Sequence, residues 1–222
     1  MATVLVIGAS RGIGLETVRQ YAQAGDRVLA TARDADGLDR LRTLGATALK
    51  VDVANPASIS GLAWQLDGEK IDVALYVAGV LPAGDARSPP TREDFDRTMH
   101  TNVLGAMQAL PQVAPLVEAA HGKFAFISSR MGCIGEVESS RAWTYRVSKA
   151  ALNMAVAAAQ HDYPDAILVA MSPGWVQTDM GGDSAPLTVQ DSVRSMREAI
   201  AGLTDRHKGA YLDYDGTRFA SW

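Results

Sequence analysis

Short apolar runs alternate along the chain with longer segments of helical periodicity. The apolar runs predict strands at residues 3–7, 27–32, 46–51, 71–77, 123–128, 166–171 and, for a last short one, 210–213. The segments between them predict helices at residues 12–24, 35–44, 56–66, 92–118, 143–161 and 188–202. Strands this apolar are typical of a sheet that is buried on both faces. The pattern therefore predicts the α/β class, with helices on both faces of a doubly wound, mostly parallel sheet and a single domain over residues 1–222.

Composition removes several classes of function. The chain has 222 residues, with 21 basic and 25 acidic side chains, a net charge of −4 and no basic stripe, so we expect no nucleic-acid partner. Cys133 is the single cysteine, which excludes an intramolecular disulfide. We find no signal segment and no apolar run of about 20 residues, so we expect a cytoplasmic protein with no membrane partner. The histidines and carboxylates lack ligand spacing, so we expect no metal.

The segment VLVIGASRGIGLE, residues 4–16, is compatible with two kinds of chemistry. Its first part fits the G-x-S-x-G elbow that presents a nucleophilic serine, here Ser10. Gly8, Gly12 and Gly14 also form a glycine-rich turn between a strand and a helix, where free N–H groups can bind a phosphate. The elbow requires earlier strands and a histidine partner, and the sequence indicates neither, so the phosphate turn is favoured. A tight turn without a ligand stays open as an alternative.

A second group of polar residues follows the fifth predicted strand. Tyr145 and Lys149 are four residues apart on a predicted helix and therefore share one face. A lysine cation beside a tyrosine favours the phenolate and brings its proton transfer towards neutral pH. Ser128 and Ser129 lie at the carboxyl end of a predicted strand, where open α/β sheets bind their ligands. An isolated Tyr-x-x-x-Lys pair also occurs on ordinary helix surfaces, so the pair gains its meaning from this context.

Taken in order along essentially the whole chain, these motifs closely resemble the short-chain dehydrogenase/reductase family, which has a Rossmann-type fold. The segment around Tyr145 and the ending DYDGTRFASW are most similar to the branch that contains C-factor and the sniffer-type carbonyl reductases. The matching positions are Gly8, Gly12, Gly14, Asp52, Val53, Ala78, Gly79, Asn102, Ser129, Tyr145, Lys149, Pro173, Gly174 and Thr178.

The resemblance implies a role for each of these positions. Tyr145 is the general acid/base that gives a proton to a carbonyl oxygen, and Ser129 holds that oxygen by a hydrogen bond. Lys149 binds the nicotinamide ribose and lowers the pKa of the tyrosine, while Asn102 anchors a water of the proton relay. The implied cofactor contacts are Gly8, Ser10, Arg11, Gly12, Ile13, Gly14, Arg33, Asp52, Val53, Ala78, Gly79, Tyr145, Lys149, Pro173, Gly174, Val176 and Thr178.

Two departures from the family pattern affect these expectations. The family usually has Asn-Asn-Ala-Gly after the fourth strand, whereas residues 76–79 here are Tyr-Val-Ala-Gly. Val77 therefore stands where an asparagine ties neighbouring strands together, which puts that bracing in doubt. The spacing from Ser129 to Tyr145 is also longer than in most of the family, and it leaves Ser128 as an alternative to Ser129.

The end of the second predicted strand indicates which nicotinamide dinucleotide to expect. An NAD enzyme has an acidic residue there, which binds the ribose 2′-hydroxyl. This chain has Ala32, with Arg33 next to it and Arg11 in the glycine turn, and two guanidinium groups can pair with a 2′-phosphate. Asp34 and Asp36 are nearby acids but fit better as the cap of the next helix. We expect NADP(H) as the preferred cofactor, with NAD(H) as the alternative.

Together with these residues, the resemblance implies an NADPH-dependent reductase of a small-molecule ketone or aldehyde, or the reverse oxidation of an alcohol. Glycines within residues 179–192 can act as hinges, so we predict a mobile substrate lid there. The segment 149–160 is apolar nearly all round, so we expect a homodimer or homotetramer. A dinucleotide-binding sensor of the C-factor type is the main alternative, and a serine hydrolase that uses Ser10 is a third.

Overall fold

All seven predicted strands form in the computed structural model, which describes residues 1–222, and they join in one parallel sheet. The strand order is β3-β2-β1-β4-β5-β6-β7, and every neighbouring pair is parallel, which confirms the predicted fold class. The strands are β1 (Thr3–Ile7), β2 (Arg27–Ala32), β3 (Thr47–Lys50), β4 (Val73–Tyr76), β5 (Lys123–Ile127), β6 (Ile167–Met171) and β7 (Tyr211–Leu212).

Eight α-helices cover the sheet, and two of the predicted helices are wrong in detail. The predicted helix over residues 56–66 is two four-residue helices separated by Ser60 and Gly61, and glycine disfavours helix. The predicted helix over residues 92–118 is two helices joined by a π-helical segment, His100–Leu104. The helices are α1 (Gly12–Gln23), α2 (Ala35–Thr43), α3 (Pro56–Ile59), α4 (Leu62–Gln65), α5 (Arg92–Met99), α6 (Gly105–Glu118), α7 (Trp143–Ala159) and α8 (Val189–Ala201).

The strands alternate their side chains between two apolar cores. On β1, Leu5 and Ile7 pack on the face covered by α6 and α7, and Val4 and Val6 pack on the face covered by α1, α2 and α8. Both faces of the sheet are thereby buried, as the apolar strands predicted. None of the helices combines the length and the apolar composition that crossing a membrane requires.

The strand order reverses between β1 and β4. The chain proceeds from β1 outwards to β2 and β3, and then returns to place β4 on the other side of β1. In open α/β sheets a crevice opens at this point, beyond the carboxyl ends of the strands, and it is where ligands bind. The glycine turn follows β1, and residues 77–80 follow β4, so the predicted site residues lie at this crevice.

Candidate active site

The glycine turn packs closely against the end of β4. Gly8 has a φ of 86°, and a Cβ built on it would lie 2.6 Å from the backbone nitrogen of Ala78. A Cβ on Gly14 would lie 2.4 Å from the Gly8 carbonyl oxygen, so this glycine lets α1 approach β1. The glycines are therefore needed for the close fit of the strand, the turn and the helix.

The turn also presents free hydrogen-bond donors. No side chain caps α1, and the N–H groups of Gly12, Ile13 and Gly14 donate to no protein acceptor. These groups lie at the positive end of the α1 dipole, which favours an anion such as a pyrophosphate. Ser10 has no hydrogen bond to a histidine, and its carbonyl accepts from Arg40 Nε at 3.0 Å, so the hydrolase alternative lacks a base. The turn fits a dinucleotide.

Tyr145 and Lys149 lie together on α7 beside the end of β4. The Lys149 Nζ atom is 5.5 Å from the centroid of the Tyr145 ring, and both residues are buried. Lys149 donates to the carbonyl of Ile127, the last residue of β5, at 2.7 Å. A Cβ on Gly79 would lie 3.6 Å from the Lys149 Nζ, so the two residues are neighbours.

Burial controls the ionisation of both residues. Burial raises the pKa of Tyr145 to about 12, and a hydrogen bond with Ser129 opposes that shift. Burial lowers the pKa of Lys149 to about 7, so only part of the protein carries a charged lysine at neutral pH. Ser129 is the side chain that lowers the pKa of Tyr145 here, and the effect of Lys149 on that pKa stays a prediction.

Asn102 lies in the π-helical segment and is fully buried. Its Oδ1 accepts from the Val80 N–H at 2.8 Å, and its Nδ2 donates to the Val80 carbonyl and to Ser148 Oγ, each at 2.9 Å. Ser148 Oγ in turn donates to the Tyr145 carbonyl at 2.8 Å. Asn102 therefore links the loop after β4 to α7.

The structure separates the roles of the two serines after β5. Ser128 is buried and its hydroxyl donates to Asn153 Oδ1, so it is not available to a substrate. Ser129 caps a short 3₁₀ helix, Arg130–Gly132, by accepting from the Met131 N–H at 3.1 Å, and its hydroxyl contacts Tyr145. Ser129 is therefore the serine that shares a site with the tyrosine.

Tyr76 provides bracing at the site where the sequence departs from the family pattern. Its hydroxyl is buried and donates to the carbonyl of Thr101 at 2.8 Å. A Cβ on Gly105 would lie 2.6 Å from that hydroxyl, so the glycine makes room for it. The strand at Val77 also keeps its backbone bond to Ile7, at 2.8 Å. Tyr76 thus ties this end of β4 to the π-helical segment, through a side chain that the sequence did not single out.

The other predicted cofactor residues lie along the same crevice. Val53 is buried, and Asp52 accepts from the Ala54 N–H at 3.0 Å after β3. Gly174 has a φ of 78° after β6, and the preceding carbonyl, of Pro173, accepts from Ser192 at 2.7 Å. The remaining two, Val176 and Thr178, follow on the same loop, and a Cβ on Gly12 would lie 3.6 Å from Thr178 Cγ2.

Three arginines lie in the glycine turn, after β2 and on α2, where a 2′-phosphate is expected. Arg33 follows β2 with a side chain that is 74% exposed, and Arg11 pairs with Asp179 at 2.7 Å. Arg40, on α2, reaches the turn at Ser10 and was missed by sequence reasoning, because the helix face that meets the turn is set by packing. Asp34 caps α2 by accepting from the Gly37 N–H at 2.8 Å, as predicted.

The predicted lid, residues 179–192, is partly helical. Residues 189–192 are the first turn of α8, and Thr188 caps that helix by accepting from the Asp191 N–H at 3.0 Å. Before the cap, the Gln177 N–H donates to the Leu187 carbonyl at 2.9 Å, which closes the loop on itself. Only residues before α8 are irregular. No cluster of histidine, cysteine or carboxylate side chains that could hold a metal ion occurs in the chain.

Comparisons with known proteins agree with this geometry. The family model described as short chain dehydrogenase matches residues 2–186. The C-signal protein of Myxococcus xanthus is 41% identical over 150 residues, which are 66% of this chain and 90% of that protein.

Two solved structures cover the whole chain. Carbonyl reductase Sniffer of D. melanogaster superposes with a TM-score of 0.90 at 27% identity, over 100% of both chains. A short-chain dehydrogenase/reductase from Burkholderia multivorans with bound NADP superposes with a TM-score of 0.88 at 30% identity, over 100% of this chain and 99% of that one. With its glycine turn, its Tyr145–Lys149 pair and these matches, the chain belongs to the short-chain dehydrogenase/reductase family of NAD(P)-binding oxidoreductases.

Proposed function

We propose that the protein uses NADP(H) to interconvert a small-molecule ketone or aldehyde and its alcohol. The observation that carries the proposal is the convergence of Ser129, Tyr145 and Lys149 with Asn102 at the crevice beyond β4 and β5. NADPH, when bound, supplies the hydride that adds to the carbonyl carbon. The protein then has to deliver a proton and stabilise the charge that develops on the oxygen.

The side chains divide this work. Tyr145 keeps its proton at neutral pH, because burial raises its pKa to about 12, and it can therefore act as the proton donor. Ser129 donates a hydrogen bond to the carbonyl oxygen of the substrate and stabilises the negative charge that forms on that oxygen. Lys149 has a pKa near 7 and can pass a proton to Tyr145 or take one from solvent.

The arginines support NADP(H) as the preferred cofactor. Arg11 lies in the glycine turn, Arg40 contacts it at Ser10 and Arg33 follows β2, and a 2′-phosphate can accept charged hydrogen bonds from guanidinium groups. Asp34 does not serve as the acid that binds a ribose 2′-hydroxyl, since it is engaged at the cap of α2. The solved relative from Burkholderia multivorans holds NADP, which agrees with this preference.

Removal of the Tyr145 hydroxyl, with removal of the Tyr163 hydroxyl as the control, tests the activity. We expect Tyr145→Phe to lower the rate of NADPH-dependent carbonyl reduction by about 100-fold to 10,000-fold, because a general acid contributes that much. NADPH affinity, measured by calorimetry, should stay unchanged. Tyr163→Phe is the control, since this half-buried tyrosine precedes β6 at the opposite end of the sheet. Equal turnover in Tyr145→Phe and wild type would contradict the proposal.

The similarity to C-signal supports a second function, a dinucleotide-binding sensor. A sensor needs the glycine turn but not the buried catalytic set. Under that alternative the wild-type protein binds NADPH but reduces none of a panel of aliphatic and aromatic ketones and aldehydes. Turnover that depends on Tyr145 would exclude it.

We also propose that the protein forms a homo-oligomer through α7. Met154 and Val147 on this helix are 69% and 44% exposed, and Ile134 beside it is 70% exposed. The outer side of α7 is therefore not covered within the chain, which supports the expectation that a second subunit covers it. We expect sedimentation at micromolar concentration to give a dimer or larger species for wild type and a smaller one for Met154→Glu. A wild-type monomer would contradict this.

A further inference from the structure

Tyr211 connects the last strand to the backbone of Ser129. Its hydroxyl donates to the Ser129 carbonyl at 2.6 Å, and the residue is only 1% exposed. Burial raises the pKa of Tyr211, so the hydroxyl keeps its proton and remains a donor throughout the neutral range. This contact joins residues that are far apart in sequence, and it reaches a residue of the proposed site that lies on a loop.

Asn153 extends this contact to the neighbouring serine. Its Oδ1 accepts from the Ser128 hydroxyl, and its amide faces Tyr211, where it lowers the pKa against the effect of burial. The Nδ2 group itself is buried and forms no well-aligned hydrogen bond. Two buried side chains, one on β7 and one on α7, therefore hold Ser128 and Ser129 from the interior of the protein.

The end of the chain keeps the Tyr211 ring in place. Phe219 stacks on that ring with centroids 4.1 Å apart, and the Trp222 ring lies 5.7 Å from it. The Trp222 carbonyl accepts from the N–H groups of Ile134 and Gly135, at 2.7 and 3.1 Å. Residues 219–222 thus bind both the tyrosine and the loop that follows Ser129.

Ser129 is the member of the catalytic set that needs this support. Tyr145 and Lys149 are fixed by a long helix, whereas Ser129 lies between β5 and a three-residue 3₁₀ helix. Its carbonyl accepts from the Gly132 N–H at 2.8 Å as well as from Tyr211. A rotation of this peptide would move the Ser129 hydroxyl relative to the Tyr145 oxygen, and side chains that act at a reacting atom tolerate little displacement.

We propose that Tyr211 is a positioning residue, which holds the Ser129 carbonyl so that the serine hydroxyl stays aligned with Tyr145 and the substrate oxygen. This role rests on the proposed function, because alignment matters only where a carbonyl oxygen is bound. Tyr211 touches neither substrate nor cofactor in this account. It acts through Ser129 alone.

Tyr211→Phe tests the role, because it removes the hydroxyl and keeps the ring packing. We expect kcat for carbonyl reduction to fall about tenfold, less than the loss of an entire oxyanion donor, with KM and NADPH affinity unchanged. The alkaline limb of the kcat profile should move to higher pH, because Ser129 lowers the pKa of Tyr145 and would do so less effectively. The Gly132 amide, which donates to Ser129, should exchange its hydrogen faster.

Tyr163→Phe is the control and should leave the turnover, the pH profile and the Gly132 exchange rate unchanged. Wild-type values of kcat and of Gly132 exchange in Tyr211→Phe would overturn the positioning role. A fall in melting temperature with unchanged kcat and an unchanged pH profile would also overturn it, since the hydroxyl would then serve stability alone. If the wild type reduces no carbonyl, the proposed function fails, and the exchange rate still decides whether Tyr211 holds this loop.

Discussion

The two halves of the site differ in how their side chains are held. In the catalytic half, Asn102, Tyr145 and Lys149 are at most 6% exposed, and Asn102 and Lys149 are hydrogen-bonded to neighbouring backbone carbonyls. In the cofactor half, the Arg11 and Arg33 side chains are 72% and 74% exposed and contact only exposed carboxylates. Folding alone therefore organises the groups proposed for proton transfer, whereas we expect the groups proposed for the 2′-phosphate to gain their geometry from the ligand they bind.

Lys149→Met should have the largest effect, which is on the pH dependence of the free energy of unfolding, because it removes the amine that folding buries. The folded protein holds the lysine pKa near 7, while an unfolded lysine titrates near 10.4. Between these values the unfolded chain binds more protons, so the free energy of unfolding of the wild type rises with pH, by at most about 1.4 kcal/mol per pH unit. Urea unfolding at about pH 7.5 and about pH 9 should show this rise in wild type and a much smaller one in Lys149→Met, which keeps only the contribution of Lys123, whose pKa burial also lowers.

Lys70→Met is the control for that measurement, since Lys70 is exposed. It should retain the pH dependence of the wild type. The same dependence in Lys149→Met and wild type would show that the buried amine is not the group responsible.

Gly14→Ala should disturb the glycine turn, which connects the two halves of the site. The added Cβ would lie 2.4 Å from the Gly8 carbonyl oxygen, so the glycine turn would have to shift. We expect a loss of about 1–3 kcal/mol in unfolding free energy, together with weaker binding of both NADPH and NADH. Gly202→Ala, whose Cβ would meet atoms no closer than 3.6 Å, should change neither. Unchanged cofactor binding in Gly14→Ala would exclude the turn as the phosphate site.

Changes in the exposed half should affect the choice of cofactor without affecting stability. A charged hydrogen bond is worth about 1.5–3 kcal/mol, so Arg33→Ala or Arg11→Ala should weaken NADPH binding by about tenfold or more. NADH binding, which involves no 2′-phosphate, should stay the same. Calorimetric titration checks both, with the exposed Arg92→Ala as the control. An equal loss for NADPH and NADH would remove the arginines from 2′-phosphate recognition.

Asp179→Asn should have the smallest effect, a slight change in NADPH affinity. Its carboxylate pairs with Arg11 at 2.7 Å, and both side chains are more than 70% exposed. Exposed ion pairs contribute little, so releasing Arg11 should tighten NADPH binding by less than about fivefold and leave NADH binding unchanged. Weaker NADPH binding in this variant would mean that Asp179 supports the cofactor site instead of competing for its arginine.

The sequence predicted those features that depend on residues close together in the chain. The glycine turn after β1, the Asp34 cap and the Tyr145–Lys149 pair each follow from local spacing, and the structure has all three. The π-helical break at Asn102 was not predicted, because it accompanies hydrogen bonds to Val80 and Ser148 that the sequence does not reveal.

The supporting tyrosines were missed for a similar physical reason. Tyr76 and Tyr211 each occur within an apolar strand, and apolar periodicity registers them as core residues. Their hydroxyl groups donate to carbonyls 25 and 82 residues away along the chain. Local pattern identifies a buried ring, but only the packed sheet shows which backbone group its hydroxyl reaches.

The most direct test of the central claim follows a single hydride. Wild-type protein and Tyr145→Phe are incubated with a ketone and NADPH that carries deuterium on the transferred position, and the alcohol is examined by mass spectrometry. We predict that wild type gives an alcohol with a single deuterium on the former carbonyl carbon. Tyr145→Phe should give at least about 100-fold less of that alcohol. Wild-type protein that binds NADPH but transfers no deuterium to any of the carbonyls in the panel would contradict it.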